Sequence, residues 1–173
     1  MTINTRISRV ALASGAALLV SGAVAFAAAT GGSSFLKEAA RGDMAEVQMG
    51  QLAQQKSTNA DVKSLGQMLV TDHGQHQTEV TTLAQSMKVT LPTKPARKAQ
   101  DEYAALSKLS GAAFDKAFVA DMVKDHQTNI KKYQKEASAN DGQVSALAQK
   151  TLPVLQKHLQ TAQQLQAKVN AEQ

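Results

Sequence analysis

Four histidines and one glutamate stand where amphipathic helices would turn them inward. His73 and His76 fall on one predicted helix, His126 on a second and His158 on a third, and these four are all the histidines in the chain. Glu46 sits inside the apolar stripe of a fourth helix. Imidazole nitrogen combined with carboxylate oxygen suits Zn, Fe, Cu or Mn. Helices that each turn such a group inward build one internal centre. The expected ligand set is therefore Glu46, His73, His126 and His158, one from each helix. His76 lies one turn from His73 on the same face and is an alternative ligand. Asp72 and Asp125 each precede a histidine. Adjacent helical residues point about 100° apart, so each aspartate is expected to support a ligand on a neighbouring helix.

A second expectation stands beside the metal. Imidazoles can donate to a buried carboxylate and so offset its desolvation without any ion. The same residues then form a metal-free His–Glu–Asp network in a non-enzymatic envelope or interaction module. A metal-dependent hydrolase or oxidase is a third class. It requires an open coordination position and substrate access, and the sequence displays neither. No G-x-S-x-G nucleophile motif occurs, and absent cysteine excludes thiolate ligands and disulfides.

The elements that must position these groups are helical. Alternating strand patterns are missing, and the chain is rich in the helix formers Ala, Gln, Lys and Leu. A first helix is expected over about 34–56, with Leu36, Ala39, Ala40, Val47, Gly50 and Ala53 on its buried face. A second spans about 59–88, capped by Asn59, with the stripe Val62, Leu65, Leu69, His73, His76, Val80, Leu83 and Met87. Pro92 and Pro95 end it, and a short helix over about 96–108 follows inside a long connection. A third long helix covers about 112–137. A fourth runs from about 143 to 169, with Val144, Leu147, Leu155, His158, Ala162 and Leu165 in line and Pro153 in its interior. The fold class is therefore all-α: a ferritin-like four-helix bundle, two helical hairpins joined by a long crossover.

The amino terminus reads as an address. Arg6 and Arg9 precede an uncharged Ala/Val/Leu-rich run that ends in Ala25-Phe26-Ala27. This is the pattern of a secretory signal. The expected division is a signal peptide over 1–27, a linker over 28–33 and the bundle over 34–170. The destination is the periplasm or the exterior, with membrane contact only through an uncleaved signal. Without Arg6 and Arg9 the 19 basic residues become 17 against 14 acidic, a mild charge of +3. Dispersed charge, no tryptophan and few aromatics argue against a nucleic-acid partner. A transmembrane barrel needs repeated alternating strands, which are absent.

Several segments together resemble the exported bacterial proteins catalogued as the domain of unknown function 4142 family, often labelled outer membrane proteins. They are Ala45 to Ala53, Met68 to His73, Gly111 to Asp115, Met122 to His126, Thr151 to Pro153, and His158-Leu159. The resemblance implies a ferritin-like bundle. It places Glu46, His73, His126 and His158 at the family's recurrent polar positions and His76 outside them. The Glu-x-x-His pairs of ferritin-like di-iron enzymes do not occur here.

Overall fold

The computed structural model describes the backbone of residues 21–171 and the side chains of residues 31–171. Five helices follow one another: α1 (Ser21–Lys56), α2 (Ala60–Ser86), α3 (Arg97–Leu106), α4 (Gly111–Ala137) and α5 (Gln143–Ala171). No strand occurs among the described residues. Much of the expected signal segment, 1–20, lies outside them. α1 begins at Ser21 and runs unbroken through 28–33, where the sequence suggests a linker.

Local chemistry accounts for the helix ends. Asn59 caps α2, its side-chain oxygen accepting from the backbone N–H of Asp61 at 2.9 Å and of Val62 at 3.3 Å. Gly142 turns the chain between α4 and α5 at φ +55°, where a Cβ would be strained.

α1 and α2 form one hairpin, α4 and α5 the other, and the two hairpins pack face to face. Side-chain pairs between α2 and α5 give the relative directions. Asp61, Asp72 and Glu79 of α2 meet Lys168, His158 and Lys150 of α5, so these two helices are antiparallel. α2 and α4 consequently run the same way, which the crossover containing α3 allows.

The core divides along the bundle axis. One apolar cluster gathers Met49, Leu52, Leu65, Leu69, Phe114, Phe118 and Leu165 at one end. The other gathers Leu36, Ala40, Val80, Ile130, Val144 and Leu155. Between them every long helix interrupts its apolar stripe at the same height. α1 does so with Asp43 and Glu46, α2 with His73 and His76, α4 with His126 and α5 with His158, all buried. Six polar side chains in one central layer are costly to desolvate unless they satisfy one another or a ligand.

α1 and α2 approach closely enough for backbone contact. A Cβ placed on Gly66 would lie 2.7 Å from the Gly50 carbonyl oxygen, and one on Gly50 would collide harder with the Gly66 carbonyl. Gly50→Ala gains about 0.5–1 kcal/mol of helix propensity. Overpacking against backbone that no rotamer relieves costs about 1–3 kcal/mol. The midpoints leave a net cost of about 1 kcal/mol, so the melting temperature is expected to fall by roughly 2–4 °C. A thermal melt of the variant checks this, and an unchanged or higher value would show that the two helices part freely.

Candidate metal centre

The central layer is built from two strings of polar contacts. On the first, Asp43 of α1 accepts from two imidazoles of α2. His73 Nδ1 lies 3.0 Å from Asp43 Oδ1, and His76 Nδ1 lies 2.9 Å from Oδ2. The three-residue spacing of His73 and His76 stacks both rings on one helical face, so one carboxylate serves both. The Nε2 atoms of both rings are buried without a hydrogen-bond partner.

The second string crosses α4, α5 and α2. His126 Nδ1 stands 3.0 Å from the Met122 carbonyl oxygen one turn earlier. His126 Nε2 stands 3.2 Å from His158 Nδ1. His158 Nε2 stands 2.8 Å from Asp72 Oδ2. Three contacts would need three protons, and two neutral imidazoles bring two. A carbonyl and a carboxylate can only accept. The two protons therefore belong at the ends of the string, on His126 Nδ1 and His158 Nε2. The lone pairs of His126 Nε2 and His158 Nδ1 then face each other with no proton between them.

Electrostatics work against a third proton. Burial, followed by the charge of His73, pushes His126 down to about 4. Burial also dominates at His158, where the hydrogen bond to Asp72 opposes it, and the result is again about 4. His73 goes the other way. Burial disfavours its charge, but Asp43 and Glu46 outweigh burial and raise it above the usual 6.5. Burial raises Glu46. At Asp43 burial is overcome by the bonds from His73 and His76, which hold its carboxyl below the usual range.

His73, His126 and His158 converge. One nitrogen from each lies within 4.8 Å of the other two, and all three residues are buried. Their ring centroids form a triangle with sides of 5.3, 5.4 and 5.9 Å. The donor set fits an ion. Nitrogens about 2.0–2.1 Å from a tetrahedral metal lie about 3.3 Å apart, and the His126–His158 separation is 3.2 Å. In each ring the other nitrogen donates to Asp43, the Met122 carbonyl or Asp72, an arrangement typical of the hydrogen bonds that orient metal-bound histidines. This buried three-histidine group can hold a metal.

A family profile described as a domain of unknown function (DUF4142) matches residues 21–165. The chain belongs to this family. Curated proteins and solved structures give no match. The matched span of this DUF4142 protein takes in the whole central layer, from Asp43 to His158.

The expected site residues fall in distinct places. Three of the four expected ligands meet, and Glu46 stays outside the 4.8 Å group. It remains beside it, lining a cavity of about 40 Å³ with Asp43, His73, Asn129 and Tyr133, and its Oε2 has no hydrogen-bond partner. Asp72 meets His158 of α5 rather than its own neighbour His73. His76 turns to Asp43, with its ring 5.8 Å from Tyr133. Asp125 makes no hydrogen bond to an imidazole and stands 3.8 Å from Lys98.

Asp43 was not foreseen, although the sequence holds its signal. It lies four residues after Ala39 and three before Glu46, within the same buried stripe. A cavity of about 80 Å³ is lined by Asp72, His73, His76, Glu79, Thr151 and His158.

Proposed function

We propose that this DUF4142 bundle binds one first-row transition-metal ion through His73 Nε2, His126 Nε2 and His158 Nδ1. Asp43, the Met122 carbonyl and Asp72 hold the three rings in the required tautomers. The observation that carries the reading is the 3.2 Å contact of His126 Nε2 with His158 Nδ1: with the two ring protons directed to the Met122 carbonyl and to Asp72, two lone pairs face each other there, and a cation between them relieves the repulsion. A self-satisfied polar network would place a proton there. Glu46, buried beside His73, supplies negative charge near the ion. The cavity of about 80 Å³ beside His73 and His158 is the route for the ion.

The biological reading is metal handling or stress protection in the bacterial envelope. It is supported by the leader pattern of residues 1–27 and by the hairpin–crossover–hairpin order shared with ferritin-like bundles. Among the described residues no helix is long and apolar enough to cross a membrane.

Titration calorimetry of tag-free protein tests the reading. One Zn²⁺ per chain is expected, with a dissociation constant between about micromolar and nanomolar. Sub-stoichiometric or millimolar uptake contradicts it. Asp43→Asn weakens the orientation of His73 without removing a ligand. It is expected to lower the affinity by about 10–100-fold at unchanged stoichiometry, measured in the same titration.

A further inference from the structure

A second group of oxygen ligands lies on the α3 side of the bundle, apart from the imidazoles. Glu102 of α3 and Asp121 and Asp125 of α4 each bring one carboxylate oxygen within 4.8 Å of the others. The cation that reaches them is Lys98, which pairs with Glu102 and stands 3.8 Å from Asp125. Lys98 stands within ion-pair distance of two of the trio, and Lys124 also acts on Asp125. Burial first, then Asp125 and Glu102, push Asp121 up to about 6. Its Oδ2 is buried and has no hydrogen-bond partner.

A separate observation points to a ligand. Glu46 of α1 is 4 % exposed, its Oε2 is unpartnered, and it lines the same groove of about 460 Å³ as Lys98, Glu102 and Asp125. Arg41, Lys124 and Lys132 also border that groove. The carboxylates thus come from three different elements, and one of them is a buried acid with an orphaned oxygen. Oxygens bound at about 2.3–2.6 Å to a single hard cation can stand at most about 5 Å apart, a limit that the trio satisfies.

We infer that Glu102, Asp121 and Asp125, with Glu46 at the inner wall, form a site for a hard divalent cation of the Mn²⁺ or Ca²⁺ class, which Lys98 occupies when no ion is bound. The ion displaces the Lys98 ammonium and ties α3 to α4 and α1. α3 is the helix that needs such a tie: it is short, and of its residues only Leu106 is buried.

Electron paramagnetic resonance of Mn²⁺ added to full-length protein already loaded with one equivalent of Zn²⁺ tests this separately from the imidazole centre. One bound Mn²⁺ per chain is expected. Binding should weaken at least tenfold in Glu102→Gln/Asp125→Asn and tighten severalfold in Lys98→Ala. No binding up to about 10 mM, beyond the weakest oxygen-ligand sites, overturns the proposal. So does binding that the double variant leaves unchanged. Hydrogen exchange of the wild-type protein gives a second readout that needs no variant. Mn²⁺ is expected to slow exchange of the amides of Arg97–Leu106, and exchange there that Mn²⁺ does not alter overturns the proposal equally.

Discussion

Zinc present at a thousandfold excess over its dissociation constant is expected to raise the melting temperature by about 8–16 °C. Binding to the folded state alone contributes about 4.1 kcal/mol at that excess, and a domain of this size gains roughly 2–4 °C per kcal/mol. The gain arises because the unfolded chain cannot bring His73, His126 and His158 together from three helices. His126→Gln and His158→Gln keep most of the side-chain bulk and remove one ligand nitrogen each. A structural ion held by four ligands contributes about 10–16 kcal/mol, so each lost imidazole is expected to weaken binding a hundredfold or more. At the same zinc concentration the rise should then shrink to about 1.4 kcal/mol or less, or about 3–6 °C at most, in the thermal melt of either variant. His76→Gln should retain most of it, because His76 lies outside the converging group. A rise of equal size in all three variants would place the ion elsewhere.

Lowering the pH is expected to weaken metal binding with the dependence of one proton rather than three. An ion and a proton compete for the same imidazole lone pair, so affinity falls wherever a ligand protonates. His73 is raised above 6.5, chiefly because Asp43 and Glu46 outweigh its burial. It must lose its proton to bind. His126 and His158 are held near 4 and are already free of the extra proton at pH 5. From pH 7 to pH 5 the affinity should therefore drop by between about 25- and 100-fold. Three ordinary histidines titrating near 6.5 would give a drop of roughly ten-thousandfold. Calorimetric titrations at three or four pH values separate the two slopes.

The helices were legible because their stripes repeat every three or four residues over about five to seven turns, and because Asn59, Pro92, Pro95 and Gly142 punctuate them. The same phase turned the histidines inward. The crossover was legible from its length and its two prolines. Phase alone does not give height along the axis, and height decides which inward groups meet. His73 and His76 share one face and are equivalent to a periodicity argument. The packing of α2 against α5 sets Asp72 beside His158, which brings His73 to the centre and leaves His76 to Asp43. Glu46 was recognised as buried but sits to one side of the imidazoles. Asp43 occupied an inward position in plain view, yet an aspartate beside Gly42 and Met44 has no motif to mark it. The trio of Glu102, Asp121 and Asp125 depends on where α3 docks, which no local pattern specifies.

The proton pattern of the imidazoles is the most direct test. Nitrogen-15 NMR of the histidine side chains, recorded before and after one equivalent of Zn²⁺, reports the state of each ring nitrogen. The expected result is that His73 and His126 keep their protons on Nδ1 and His158 keeps its proton on Nε2. The resonances of His73 Nε2, His126 Nε2 and His158 Nδ1 should shift together at one equivalent, while both His76 nitrogens move little. A proton found between His126 and His158, with spectra that zinc leaves unchanged, would contradict a metal centre in this bundle.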